Sequence, residues 1–280
     1  MNVILLLTVI AIALGMVAVF WFILYVKLND FSLPVRDVSK FEKILVIFPH
    51  PDDEVLTVAG LIRSIASVGK HKTLMILTKG EKGNNAGGFD LNLKNVRTSE
   101  AIQSASLVGF SEVVHEDLGD GYLDQKKTAV RDVIANYVRK SRPDLVVTFE
   151  PGGLYGHPDH IATSEIVTEI TRSLEAPPVV WYATFPQKVF EKIIFPVQMA
   201  KDPNIKSNCL IPSHRVRVGI KGIIAKIRAM YIHRSQYLSF RNNLPLRWLP
   251  LWFFVSVMLW EYFSDGELEV EGTSDRILNF

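Results

Sequence analysis

Ile44-Leu45-Val46-Ile47-Phe48-Pro49-His50-Pro51-Asp52-Asp53-Glu54 is the stretch on which the reading of this chain turns. Its first five residues are an unbroken apolar run rich in β-branched side chains, as expected of a strand buried on both faces of a parallel sheet. Two prolines, a histidine and three acids follow at once. Apolar residues then recur at helical spacing from Val55 to Val68, stopping before Gly69. The same alternation continues outward. Strands are predicted at Thr73–Thr78, Glu112–His115, Leu145–Phe149 and Val179–Phe185, the last closing the series. Helices are predicted at Asn95–Val108, Lys126–Lys140 and Asp159–Leu174. Strand–helix alternation of this kind predicts an α/β fold, a mostly parallel sheet flanked by helices. Glycines 80, 83, 87 and 88 mark a flexible loop after the second strand, with neither GxGxxG nor P-loop spacing.

Composition narrows the function classes. The 280 residues carry 31 Lys plus Arg against 29 Asp plus Glu, a net charge of +2, which argues against a nucleic-acid binder driven by bulk charge. A chain that is 48% hydrophobic and 21% charged is not disordered. The single cysteine, Cys209, excludes an intramolecular disulfide and a multi-cysteine zinc site. It fits a reducing compartment and reads as a buried small hydrophobe.

The apolar excess lies at the two ends. Val3 to Val26 is 24 residues without a charge, closing on Trp21, Phe22 and Tyr25. That is long enough for a transmembrane helix with interfacial aromatics, and longer than the core of a cleaved signal peptide. Lys27, Arg36, Lys40 and Lys43 follow it and only Met1 and Asn2 precede it, so the positive-inside rule places the bulk of the chain in the cytoplasm. The second apolar stretch, Leu244–Phe263, has an uncharged part of only 13 residues, Trp248–Trp260, with four aromatics at its start. It reads as a helix lying in the membrane interface, with a docked core helix and a second span as the alternatives. The resulting organisation is an anchor at 1–27, a juxtamembrane linker at 28–42, a catalytic domain at 43–240, and a C-terminal amphipathic segment and acidic tail at 241–280.

In open α/β sheets, sites form beyond the carboxyl ends of strands. Two His/Asp turns fall there: Pro49–Glu54, and Gly152-Gly153-Leu154-Tyr155-Gly156-His157-Pro158-Asp159-His160 after the Leu145–Phe149 strand. An imidazole and a carboxylate three residues apart, with a distant imidazole, make a His-Asp-His set that suits Zn²⁺ and leaves a position for water; Fe²⁺ takes a similar set. Of the adjacent pair Asp52 and Asp53, one would face the metal and the other accept a proton from water. A second histidine with its own aspartate would serve as acid or oxyanion stabiliser. A single such cluster is most often a cap or a turn; two of them at two strand ends argue for function. Glu54 reads as a first-turn acid or a supporting group behind the ligands. His71, His115 and His214 show no partner pattern and read as ordinary surface or core residues.

The residues at 49–54 and 157–160 resemble the (A/P)HPDDE and HPDH motifs of the LmbE/PIG-L family of zinc-dependent N-deacetylases. Weaker family features match in order: Thr78-Lys79-Gly80-Glu81, Arg97-Thr98-Ser99-Glu100-Ala101, Leu118-Gly119-Asp120-Gly121 and His233-Arg234-Ser235-Gln236. The resemblance covers roughly residues 43–240 and implies a Rossmann-like fold. It implies that His50, Asp53 and His160 bind zinc and that Asp52 is the general base. It further implies that His157, oriented by Asp159, and Tyr155 serve the oxyanion or the leaving amine, and that Arg97 and Asp120 contact substrate. The implied reaction removes the acetyl group from a GlcNAc-containing substrate, giving acetate and a free amine. Anchored members act on N-acetylglucosaminyl-phosphatidylinositol, so the anchor points to a membrane glycolipid. A soluble GlcNAc glycoside or other amide is the alternative substrate, and a non-catalytic, membrane-anchored sugar-binding scaffold is the alternative class.

Overall fold

The computed structural model describes residues 3–65, 69–83, 92–186, 189, 210–243 and 248–265. Cys209, Gly87, Gly88, and the acidic tail beyond Asp265 lie outside them. Helix α1 (Val3–Leu28) is followed by β1 (Lys43–Phe48), α2 (Asp53–Thr57), α3 (Ala59–Ser64), β2 (His71–Ile76), α4 (Leu93–Val108) and β3 (Glu112–His115). Next come α5 (Lys127–Ser141), β4 (Leu145–Phe149), a one-turn α6 (Gly153–Gly156), α7 (Pro158–Arg172) and β5 (Val179–Thr184). The chain then forms β6 (His214–Arg217), α8 (Gly219–Ile232), α9 (Tyr237–Asn243), α10 (Leu251–Ser256) and β7 (Trp260–Asp265).

One seven-stranded sheet has the order β3-β2-β1-β4-β5-β7-β6. The first five strands are parallel, with Val46 opposite Val147 and Val147 opposite Trp181. Strand β7 runs antiparallel between β5 and β6. Strand order reverses between β1 and β4, and such a switch point opens a crevice at the carboxyl edge of the sheet. Alternate strand residues feed two cores. Ile44, Val46 and Phe48 pack with α3, α4, α8 and α10, while Leu45 and Ile47 pack with α5 and α7. Each such fully buried aliphatic side chain contributes about 1.5–3 kcal/mol over its exposed state.

Three expectations are corrected. The predicted Val55–Val68 helix breaks at Val58, which has φ −136° and ψ −7°. The cause lies 200 residues away: buried Glu261 accepts the amides of Gly60 (2.9 Å) and Leu61 (2.6 Å), anchoring α3 as a separate helix, while Lys226 Nζ pairs with Glu261 at 2.8 Å. The sheet does not close at Phe185. It takes up β6 and β7, so the fold continues past residue 240 to Asp265. The second apolar stretch is not a helix lying on a membrane. It supplies the short α10, with Leu251, Phe253, Phe254 and Val255 buried, and then an inner strand. Trp248 and Trp252 alone fit the interfacial reading in being exposed, by 69% and 50%.

Helix α1 is the one described helix long and apolar enough, by length and composition, to cross a membrane. Its residues from Val3 to Val19 are all exposed, whereas Phe20, Trp21, Leu24, Tyr25 and Leu28 of its last turns pack on the domain.

Candidate active site

The turn after β1 is tightly held. Thr78 Oγ1 donates to the Pro49 carbonyl at 2.9 Å, and Arg97 Nη2 donates to the Pro51 carbonyl at 2.5 Å. Asp52 sits in the left-handed region at φ 91°, costly for a residue with a Cβ but tolerated by Asp. Its amide donates to Glu54 Oε2 (3.1 Å), and its carboxylate lies 3.2 Å from Arg97 Nη2. Arg97 also donates to the Gly80 carbonyl at 2.8 Å; Gly80 has φ +67°, and a Cβ there would meet the guanidinium at 2.5 Å. Glu54 is fully buried and also accepts from Ser104 Oγ (2.7 Å) and His233 Nε2 (3.1 Å). The supporting role read for Glu54 therefore has named partners.

The turn after β4 is shaped by Glu150, a buried acid whose carboxylate accepts the amides of Gly152 (2.7 Å) and Leu154 (2.6 Å). Gly153 has φ +68°, and a Cβ there would press on Ile161 at 2.8 Å. The turn delivers His157 as the cap of α7, its Nδ1 accepting the Asp159 amide at 3.2 Å, with Pro158 in the first helical position. One turn on, the buried His160 ring stacks on Phe149, centroids 4.2 Å apart and 4° from parallel.

The two turns meet. His50 Nδ1 lies 3.2 Å from His160 Nε2 and 3.5 Å from Asp53 Oδ2, and His160 Nε2 lies 3.6 Å from Asp53 Oδ1. Ligands held about 2.0–2.1 Å from a tetrahedral zinc ion are about 3.4 Å apart, so the three separations match the edges of such a site. The far side of His50 fixes its tautomer: Nε2 faces Asp120 Oδ1 at 3.0 Å and Asp159 Oδ2 at 3.2 Å. These carboxylates are themselves held, Asp120 by the Lys82 amide (2.8 Å), Asp159 by those of Gly121 (2.6 Å) and Leu123 (3.0 Å). They hold the proton on Nε2 and turn the Nδ1 lone pair toward His160 and Asp53, the usual arrangement behind a metal-ligating histidine. One ring nitrogen each of His50, His157 and His160 also falls within 4.8 Å of the others. The donor set therefore fits a divalent metal ion.

Electrostatics follow the geometry. Burial pushes Asp52 up to about 6, with Arg97 pulling back and Asp53 adding to the rise. Burial alone would depress His50, but Asp120, Asp159 and Asp53 together raise its pKa well above the imidazole value, so the Nδ1 lone pair becomes available when a bound cation displaces the Nδ1 proton. His160 is driven well below that value by burial and then by its histidine neighbours, which leaves it neutral and able to donate a lone pair. Burial, then Asp53 and Asp52, raise the Tyr155 phenol well above its ordinary value, so it keeps its proton. Its ring centroid lies 5.1 Å from that of His160.

All nine residues singled out from the sequence converge here, though some contacts differ from expectation. The Asp159 carboxylate engages His50, and it is the Asp159 backbone amide that bonds His157. Asp120 likewise engages His50. Arg97 is 3% exposed and braces the Asp52 turn, so its contacts are with protein rather than with the opening. The sequence reading passed over Glu150 and the Glu54–His233 and Glu100–Ser235 links, the last through Ser235 Oγ at 2.6 Å. An acid directly after β4, before Pro151-Gly152-Gly153, was the available signal for Glu150.

The model of the family described as PIG-L, GlcNAc-PI de-N-acetylase, matches residues 45–171. A 1D-myo-inositol 2-acetamido-2-deoxy-α-D-glucopyranoside deacetylase of Corynebacterium diphtheriae is 29% identical over 54% of this chain and 59% of its own length. A diacetylchitobiose deacetylase of Thermococcus kodakarensis is 35% identical over 48% of each chain. The chain thus spans about half the length of these relatives. The structure of N,N′-diacetylchitobiose deacetylase from Pyrococcus horikoshii shares the fold, with a TM-score of 0.59 at 21% identity over 85% of this chain and 90% of that one. The two His/Asp turns at the switch point of the mixed α/β sheet both lie within residues 45–171, the part of the chain that is similar to the PIG-L family.

Proposed function

We propose that this chain is a metal-dependent hydrolase that removes the acetyl group from a GlcNAc unit, releasing acetate and a free amino sugar. The observation that carries the reading is the convergence of His50 Nδ1, His160 Nε2 and Asp53 at tetrahedral-edge distances, with Asp52 beside them. The two relatives named above act, by their names, on substrates carrying 2-acetamido-2-deoxyglucose, which supports the sugar class.

His50, Asp53 and His160 would hold Zn²⁺, with Fe²⁺ the other ion the set accepts. The metal supplies a Lewis acid that acidifies water and polarises the amide carbonyl. Asp52 takes the proton from the attacking water. It is the most open carboxylate of the cluster, its side chain 19% exposed against 10% for Asp53. Tyr155, protonated, donates to the oxygen that gains charge. His157, its Nδ1 engaged by the Asp159 amide, carries its proton on Nε2 and serves the oxyanion or the departing amine. Asp120 and Asp159 hold the His50 tautomer throughout.

The charge-free run Val3–Val26 of α1 supports a single membrane span, and Lys27, Arg36, Lys40 and Lys43 after that run support a cytoplasmic catalytic domain. The anchor favours a GlcNAc-bearing glycolipid over a soluble glycoside. The test is acetate release by detergent-purified protein from GlcNAc-phosphatidylinositol and from diacetylchitobiose, before and after chelation and zinc restoration. Release that chelation abolishes and zinc restores supports the reading. Release from diacetylchitobiose alone keeps the chemistry and removes the lipid. Release that ignores the chelator overturns the metal role.

A further inference from the structure

The docked end of α1 meets the same edge of the sheet that carries the site. Leu28 and Asn29 line a small cavity with Phe185, Pro186, Phe254 and Tyr262. Asn29 accepts from Tyr262 Oη at 3.1 Å and donates to the Val257 carbonyl at 2.8 Å. Tyr262 is opposite Thr184, the last residue of β5. Val46, Val147 and Trp181 form one row across the sheet. His50 lies four residues beyond Val46, and Phe185 four beyond Trp181. The metal-ligating turn and the anchor's docking point therefore stand at the same height, two strands or about 10 Å apart.

The anchor leaves the domain almost at once. Trp21 Nε1 donates to Ser256 Oγ at 2.8 Å, and Phe20 stacks on Trp248 and Phe253 at 5.9 and 6.0 Å. Every residue from Val3 to Val19 is exposed. From Leu28 to Phe20 is eight residues, about 12 Å of helix. Trp248, stacked on Phe20, and Trp252, 5.7 Å from the Phe253 ring, lie at that exit and are exposed by 69% and 50%. Indoles clustered where an uncharged helix departs match the aromatic belt of a membrane interface.

We propose that the docked end of α1, Trp248 and Trp252 form one bilayer-contact surface that holds the carboxyl edge of the sheet, and with it the site, at the headgroup layer. This rests on the reading of α1 as a span, and it goes further. The anchor is a rigid mount that sets which way the site faces, rather than a flexible tether. The occupant is lipid because the exposed indoles continue an apolar helix whose residues from Val3 to Val19 are exposed among the described residues.

The test uses the full chain in phosphatidylcholine vesicles containing a lipid with a nitroxide headgroup. In a Cys209→Ser background, a fluorophore is placed at Tyr122→Cys, exposed on the loop beside Asp120, or at Lys140→Cys, exposed at the opposite edge of the sheet. The expected result is quenching at position 122 at least threefold stronger than at 140, falling toward equality in Trp248→Ser/Trp252→Ser. Equal quenching at the two positions, or stronger quenching at 140, overturns the proposal. So does a dimer that Trp248→Ser/Trp252→Ser dissociates, which would assign the surface to a second copy. Carbonate extraction is run in parallel: protein washed from the vesicles shows that the span reading itself has failed, and the proposal with it. Zinc-dependent acetate release from diacetylchitobiose by each variant confirms an intact site.

Discussion

The two ends of this sheet are built on different principles. From β1 to β5, the candidate ligands come from the turns and helix starts that follow β1 and β4, and sequence neighbours lie together: His50 with Asp53, His157 with His160. From β5 to β6, structure comes from distant segments. Strand β7, the last described element, lies between β5 and β6, its Glu261 starts a helix at Gly60, and α1 docks on residues 248–262. Chemistry in this molecule is local, and support is long-range. Damage at the two ends should therefore separate into lost catalysis and lost stability.

The largest separation is expected from His160→Ala. It should empty the metal site and abolish turnover, measured as zinc content per folded protein beside acetate release; full occupancy would show that other residues hold the ion. Asp52→Asn should retain metal and lower kcat by about 10²–10⁴-fold, the usual size of a general-base contribution. Near-normal turnover would move the base elsewhere. Glu261→Ala acts at the opposite end and leaves Lys226 buried without its acid, a loss of about 3–5 kcal/mol by denaturant unfolding. The molecules that stay folded should keep metal and kcat, and lost metal affinity at full folding would break the contrast.

The smallest effect concerns pH. His214, edge-on to Trp181 at 4.5 Å between centroids, is held by burial at a pKa of about 4, with Asp265 pulling it upward. The unfolded chain takes up this proton near pH 6.5 and the fold resists it down to about 4. Stability is therefore intact above pH 6.5 and declines as pH falls between those values, by at most about 3 kcal/mol. His214→Gln should flatten that decline in unfolding measured from pH 7 to 4.5. An unchanged slope would assign the acid sensitivity to another group.

What the sequence disclosed follows the same division. Strand β1 was legible because five apolar residues in a row have few other uses, and the site because its ligands are packed into two short turns. His214 also read correctly as an ordinary core histidine. The break at Val58 was not legible, because the residue that enforces it is Glu261. Nor was β7, because Trp260–Asp265 follows a run of aromatics whose burial depends on partners far away in the chain. The protein contacts of Arg97 and Asp120 were not legible for a related reason. Charge near a site suggests substrate, whereas here both groups are spent on holding His50 and the Asp52 turn in place.

Glu54 carries a consequence in time. Its carboxylate fixes the turn that positions Asp52, yet one of its bonds goes to His233, 179 residues later. A chain still being synthesised therefore possesses His50, Asp53 and His160, the proposed metal ligands, long before it possesses the His233 brace behind the Asp52 turn. Competence arrives late and in one step, when α8 closes over α3 and α4. A fragment ending before residue 233 would carry the three proposed ligands and lack the His233 bond to Glu54.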